Sequence, residues 1–391
     1  MSFKKTLTRV LLLSTLLALT AFLVGSAASA KPTSKSELPF AKQLQDELDN
    51  GIKKINGKGI SVAIIVPGYN AWVAVSGVSH GDIPIKPETV FNAGSITKNL
   101  VAALTLKLAE EGRLALDDPL HKWLPDYPNI DNTITIRQLL NHTCGIPNIK
   151  GSSFVQPIIF KNPKKYWTSK EAIETFVHKS QFPKGTDWHY SNAGYILLGM
   201  IIEKATGSKL STELRNRFWN PLGLNSTYLA GEEELPGNIA HGWIDLDGDK
   251  VLEDFSVYPK TAYNSAMKGA GGVVSTSEDL AKWTHALFHE GRVVSKGSLD
   301  QMLAFHSPIP GKPILAGYGL GVETFTPRIF YDLELWGHAG NSIGFTAFIW
   351  YLPEYGVSIG FMSNREQYDD VYLWLIKDFW RVIKNNLEKI R

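Results

Sequence analysis

The sequence predicts an α+β protein: an antiparallel sheet drawn from both chain ends, flanked by helices, with a mainly helical subdomain inserted between them. Two observations carry this. β-rich runs joined by hairpin punctuation stand near each end, and the middle holds helical patterns separated by Pro/Gly/Asn loops with little β signal. The α/β part is therefore assigned to residues 31–95 and 250–391 and the helical part to 96–249, within one domain spanning 31–391.

Taken in order, residues 1–30 read as a secretory signal peptide. Lys4, Lys5 and Arg9 make a positive start, residues 10–24 are apolar, and Ala28-Ser29-Ala30 supplies a cleavage site after Ala30. The apolar run falls short of the roughly 20 residues a membrane span needs, so no anchor is expected after cleavage and the mature chain should be periplasmic or secreted. A helix is expected over 38–50, and strands over 60–66 and 71–76 flank Pro67-Gly68-Tyr69-Asn70. From Ser95 a helix should run to about Glu111, with Val101, Leu104 and Leu108 inward and Gly112 as its stop. "WHYSNAGYILLG", 188–199, leads into another, with Ala193, Ile196, Leu197, Met200 and Ile201 on one face and Gly207 past its end. Strands over 344–352 and 357–363 flank Pro353-Glu354-Tyr355-Gly356, and 368–390 closes the chain as a helix.

Composition narrows the function. The leader carries three cations and no acid, so its removal takes the formal charge from +2 to −1. That leaves no electrostatic reason to expect nucleic acid or an anionic membrane as a partner. The single cysteine, Cys144, excludes an internal disulfide, and it reads as a small buried residue. Without a Cys pair or a His-rich spacing, a structural zinc is not expected. The core must hold the fold, and eleven tryptophans can supply one. Asp245-Leu246-Asp247-Gly248-Asp249 suggests calcium, but Lys250 and Ser256 stand where an EF-hand loop needs Gly and Glu. A surface turn is the expected reading.

S-x-x-K occurs three times, at Ser2–Lys5, Ser95–Lys98 and Ser265–Lys268. The first lies in the leader. The third precedes Gly269-Ala270-Gly271-Gly272, which is not expected to propagate a helix. At Ser95 the two side chains share a helix face, at an N-terminus whose field favours a developing oxyanion. Burial of Lys98 would disfavour its charged form and make it a base. Tyr190 and Asn192 precede a strong helix, where a core aromatic and a cap are the alternatives to a catalytic role. His338-Ala339, between Gly337 and Gly340, could admit a second backbone or a substrate. His142 and His189 read as structural.

Ser95-x-x-Lys98, then Tyr190-Ser191-Asn192, then His338-Ala339-Gly340, in this order, resembles the penicillin-recognising serine hydrolase family. Its members include class C β-lactamases, low-molecular-weight D-alanyl-D-alanine carboxypeptidases, and related esterases and D-aminopeptidases. "LLNHTCGIP" (139–147), "PLGLNST" (221–227), "GAGGVVSTSEDLAKW" (269–283) and "YGLGV" (318–322) extend the resemblance over nearly all of the mature chain. The resemblance implies a β-lactamase/transpeptidase-like fold and an acyl-enzyme on Ser95, with Lys98 and Tyr190 as general base and acid. It also implies that Asn192 orients Lys98 and the substrate amide, that the backbone N–H groups of Ser95 and Asn341 form the oxyanion hole, and that His338, Ala339 and Gly340 line the substrate strand. No metal or cofactor is implied.

One departure bears on substrate. β-Lactamases of the family usually have Lys-Thr-Gly at the third motif. Here His338 would be fully cationic only below about pH 6.5, and Ala339 has no hydroxyl to offer a substrate carboxylate. The resemblance thus favours a D-alanyl-D-alanine-type peptidase or an esterase over an efficient β-lactamase, the substrate being an ester, a D-amino-acid peptide or a β-lactam. A non-catalytic peptidoglycan-binding or regulatory protein is the rival reading, but a pure binder has no chemical need for Ser95, Lys98, Tyr190 and Asn192 together.

Overall fold

The computed structural model describes residues 36–391, except 150–157, 159–160, 307–308, 310–314, 326–331, 367–370, 372–373 and 391; the leader expected over residues 1–30 lies outside the described residues. The chain divides into the units Met1–Ser36 and Glu37–Arg391, and the elements below belong to the second. Its strands are β1 (Gly59–Ile65), β2 (Trp72–His80), β3 (Ile83–Pro84), β4 (Phe91–Asn92), β5 (Tyr228–Leu229), β6 (Trp243–Ile244), β7 (Glu253–Asp254), β8 (Val273–Ser275), β9 (Leu315–Tyr318), β10 (Glu323–Phe325), β11 (Trp336–Ser342), β12 (Phe345–Leu352), β13 (Val357–Ser363) and β14 (Arg365–Glu366). The helices used here are α1 (Ala41–Lys54), α2 (Ile96–Glu110), α3 (Ile136–Leu140), α4 (Ser169–Phe176), α5 (Asn192–Thr206), α6 (Leu210–Leu214), α7 (Thr261–Gly271), α8 (Ser277–Thr284), α9 (Lys296–Met302) and α10 (Trp380–Ile390).

Strands from both chain ends build one eight-stranded sheet in the order β3-β2-β1-β13-β12-β11-β10-β9. The seam between the ends is β1 against β13, antiparallel, with Ile60 opposite Ser363 and Ile65 opposite Ser358. Side-chain alternation shows why the sheet is central. Along β12, Phe348, Trp350 and Leu352 enter one apolar cluster, together with Leu44 and Leu48 of α1 and Trp380 and Ile383 of α10. Ala347, Ile349 and Tyr351 enter the other, with α2 and with Leu280 and Trp283 of α8. A strand buried on both faces loses its polar alternation, and every residue of β12 is buried. α2 is buried nearly all round, including Lys98 and Asn99. Two smaller sheets, β4-β8-β5 and β14-β6-β7, are present among the described residues.

Several expectations shift. The first helix begins at Ala41 and continues to Lys54. The closing helix is Trp380–Ile390, preceded by a wider π turn over Leu375–Phe379, and part of its expected start lies outside the described residues. The glycine-rich run at 269–272 is the larger correction: it does propagate a helix, with residues 269–271 in the last turn of α7 and Gly272 as its C-cap. The missing side chains let α7 close on α5, since a Cβ on Gly269 would lie 2.6 Å from the Tyr195 carbonyl oxygen. Packing gained at that crossing outweighs the roughly 1 kcal/mol helix cost of each glycine. Ser265 and Lys268 nonetheless stay apart from the chemistry. Ser265 Oγ accepts from Trp167 N–H and donates to Thr261 O, while Lys268 pairs with Glu232 at 3.4 Å.

Candidate active site

Ser95 stands at the N-terminus of α2, half-buried, behind a chain held by β4. β4 pairs with β8, and Ala93 N–H donates to Val273 O at 2.9 Å, so the approach to Ser95 is clamped. β11 docks against this approach by backbone alone. Gly94 has φ +51°, and a Cβ on it would lie 2.5 Å from Asn341 O; a Cβ on Gly340 would collide with the Ala93 carbonyl. Only glycine permits that approach.

Lys98 follows one turn later and is fully buried. Its Nζ lies 3.0 Å from Ser95 Oγ, 2.8 Å from Asn192 Oδ1 and 2.6 Å from Ala270 O. Burial pushes its pKa well below the usual lysine value, against an opposing pull from Glu323. In its neutral form, which burial favours, the amine has two N–H bonds and one lone pair. Ala270 O can only accept, and Asn192 presents Oδ1 because its Nδ2 donates to Ile149 O at 3.2 Å. Both N–H bonds are thus committed, and the lone pair is left for the Ser95 hydroxyl proton. This geometry can take a proton from Ser95. Asn192 opens α5, and the cap of that helix is Ser191, whose Oγ accepts from Gly194 N–H.

Tyr190 is half-buried, with Lys98 Nζ 4.8 Å from its ring centroid. The His142 ring packs 4.4 Å from it, centroid to centroid, and His142 Nδ1 accepts from Ser191 N–H at 3.2 Å. The proton of the neutral His142 ring is therefore on Nε2, and burial keeps its pKa well below the usual value. His142, at φ +63°, is structural in the sense expected, but what it supports is the wall behind Tyr190.

At His338 a full charge was expected only below about pH 6.5, with a weakened grip at neutral pH, and the side chain's surroundings move that charge to lower pH still. The ring is fully buried, and desolvation is the main cause that lowers its pKa to about 3. Both nitrogens are engaged: Nδ1 lies 2.6 Å from Ala339 O and Nε2 lies 2.9 Å from Tyr318 Oη. Since a carbonyl only accepts, Nδ1 carries the proton and Tyr318 donates to Nε2. Ala339 is half-buried, and its N–H donates to Glu323 Oε2 at 2.7 Å, towards the β10 side of β11. Two residues on, the Asn341 N–H faces the same side. β10 does not reach there, because its pairing with β11 ends at Gly337. The Asn341 side chain is exposed, while its backbone N would lie 2.8 Å from a Cβ built on Gly94, the residue before Ser95. Glu323, Tyr318 and Ala270 escaped sequence reasoning, although Tyr318 and Ala270 lie in quoted phrases and Glu323 follows one.

Other sequence features stay outside the site. Cys144 is buried, and desolvation pushes its thiol up to about 11. Asp245, Asp247 and Asp249 bring carboxylate oxygens within 4.8 Å of one another between β6 and β7. Their oxygens accept backbone N–H bonds within that turn, as at Gly248 and Lys250. Among the described residues no helix is long and apolar enough to cross a membrane.

A buried amine faces a serine at a helix N-terminus, over an antiparallel sheet made from both chain ends, the arrangement that the sequence resemblance implied. The model of the Beta-lactamase family matches residues 44–376, and the chain belongs to that family of penicillin-recognising serine hydrolases. Penicillin-binding protein 4* of Bacillus subtilis (strain 168) is 25% identical over 293 residues, 73% of this chain and 62% of that protein. The chain thus spans less than two thirds of that relative's length. Among solved structures, the D-amino acid amidase of Ochrobactrum anthropi SV3, complexed with L-phenylalanine amide, superposes with a TM-score of 0.77 at 27% identity, covering 90% of this chain and 99% of that one. The D-stereospecific amidohydrolase of a Streptomyces species gives 0.73 at 29% identity, covering 85% and 98%. The β-lactamase/transpeptidase-like fold is that of these neighbours.

Proposed function

We propose that this protein hydrolyses small amides or esters, D-amino-acid amides among them, through an acyl-enzyme on Ser95. The carrying observation is the buried Lys98 Nζ, 3.0 Å from Ser95 Oγ, with Asn192 Oδ1 and Ala270 O placed to take two amine protons and leave a lone pair for the Ser95 hydroxyl when the amine is neutral. Ser95 Oγ attacks the carbonyl carbon as its proton passes to Lys98 Nζ. The oxyanion is held by the N–H groups of Ser95 and Asn341, and such donors are worth roughly 3 kcal/mol each in the transition state. Collapse breaks the bond to the amine or alcohol, which leaves with that proton by way of Lys98 and Tyr190. Water, deprotonated by the same pair, then attacks the acyl group and frees Ser95.

Substrate preference follows from His338. A neutral ring with both nitrogens engaged offers no cation to a substrate carboxylate, and Ala339 offers no hydroxyl. This supports amides and esters over peptides with a free C-terminal carboxylate, and over β-lactams. The names of the structural neighbours agree with that preference. The proposal includes export, on the charge and apolarity of residues 1–30, to be checked by N-terminal sequencing of the secreted form. The deciding experiment incubates the protein and its Ser95→Ala variant with D-phenylalanine amide, p-nitrophenyl butyrate, a D-Ala-D-Ala peptide and a chromogenic cephalosporin. Turnover of the first two, lost in the variant, is expected. Faster turnover of the carboxylate-bearing pair would reject the preference, and no turnover with no Ser95 fluorophosphonate adduct would reject the enzyme.

A further inference from the structure

At Ser342, where β11 ends, the chain turns over a cavity of about 250 Å³ whose lining includes Asn92, His241, Phe255, Lys260, Ser342 and Ile343. Two of these tie it to the site. Asn92 Oδ1 accepts the Gly94 N–H at 2.8 Å, one residue before Ser95, and Ser342 follows Asn341 directly. Position along β11 gives the cavity its side of the reaction. Tyr190 and His338, whose rings lie 6.5 Å apart, mark the end of β11 where the leaving group must be protonated. The cavity is at the opposite end, so it faces the acyl half of a substrate.

Its chemistry is lopsided. The walls are largely apolar, and the charged or basic side chains reaching the lining are Lys260 and His241, with no carboxylate among the lining residues. Lys260 Nζ donates to Phe255 O at 2.7 Å and lies 3.8 Å from the Phe255 ring centroid. Among the described residues no carboxylate comes within ion-pair distance of it. His241 Nδ1 is 2.7 Å from Asp254 Oδ2, which sits behind the lining. Burial lowers the Lys260 pKa to about 7, against the pull of Asp254 and Glu366, and an anion in the cavity would restore its charge.

We infer that this cavity is an acyl-side subsite that takes a short aliphatic acyl group ending in a carboxylate. The inference rests on the acyl-enzyme reading above and adds what that reading leaves open, namely which acyl groups are preferred. An apolar wall suits the methylenes, and Lys260 supplies a charge-assisted hydrogen bond to the terminal carboxylate.

The test compares mono-p-nitrophenyl succinate, glutarate and adipate with neutral p-nitrophenyl esters of matched length, in the native protein and in Lys260→Gln and Lys260→Arg. One acid ester is expected to exceed its neutral match in kcat/KM by about tenfold, the scale of one partly solvated charge-assisted hydrogen bond. That ratio should fall to near one or below in Lys260→Gln and be largely kept in Lys260→Arg. Fluorophosphonate titration of Ser95 counts the folded sites in each variant. Equal ratios in the native protein, or a preference that survives in Lys260→Gln, would overturn the subsite while leaving the hydrolase in place. Calorimetry of glutarate and adipate with Ser95→Ala reads the subsite without turnover. Binding that Lys260→Gln abolishes supports it even if no ester is hydrolysed, and no binding counts against it.

Discussion

Replacing Gly94 with alanine tests the oxyanion hole through its spacing and leaves every polar group in place. The new Cβ would lie 2.5 Å from Asn341 O and 2.8 Å from Asn341 N, whereas ordinary contact begins near 3.4 Å. The two backbones must therefore part by about 0.9 Å, and displacements of about 1 Å in a reacting constellation can cost on the order of a hundredfold. Loss of one oxyanion donor costs about 10²–10³ in kcat, so both routes give the same scale. We expect the burst of p-nitrophenol from p-nitrophenyl butyrate, followed by stopped flow, to slow about a hundredfold with KM little changed. Gly94 also sits at φ +51°, so alanine there should cost about 1–3 kcal/mol in denaturant unfolding. Gly68→Ala is the control, at φ +87° with nothing within 4 Å of the added Cβ. It should lose stability and keep its burst. If Gly94→Ala acylates within about threefold of the native protein, the N–H groups of Ser95 and Asn341 are not the oxyanion site.

Three further outcomes follow from the same geometry. Acylation should rise with pH through the lowered pKa of Lys98, because acid protonates the lone pair facing Ser95; a pH profile falling on the alkaline side first would contradict it. His338 titrates near 3 when folded and near 6.5 when unfolded, so the unfolded chain binds more protons between those values and stability is lost as pH falls from 6.5 towards 3. His338→Gln lacks that slope, so the native-minus-variant unfolding free energy should shrink as the pH is lowered from about 7 to about 4 in urea titrations. Tyr318→Phe leaves His338 Nε2 without its donor and should cost about 1–3 kcal/mol, with a new step in the acylation pH profile as His338 becomes easier to protonate; an unchanged profile would refute the assigned tautomer.

Ser95 and its helix were readable because their signals are local: an apolar stripe, a stop at Gly112, and a lysine one turn along. The hairpins at 60–80 and 345–363 were readable for the same reason, together with Pro/Gly punctuation. What was hidden depends on distant pairing. Ala270 lies 172 positions from the lysine whose proton it holds, and Glu323 reaches Ala339 only because β10 stops short beside β11. The glycine run at 269–272 was misread because propensity describes an isolated helix, whereas this one is set by the crossing of α7 and α5. The pH at which His338 would gain its charge was not legible, because burial, which a chain of letters does not display, sets it.

That crossing also acts as a gauge. α5 carries Asn192 at its start and α7 carries Ala270 at its end, and the two acceptors hold one amine between them at 2.8 and 2.6 Å. Where the helices meet, the Cβ that Gly269 lacks would stand 3.5 Å from Gly199 Cα, so the contact is between main chains. The separation is set by backbone thickness and has no rotamer through which to drift. The amine's orientation is thereby calibrated by two residues that never touch it, and the direction of its lone pair is a property of the helix pair as much as of Lys98.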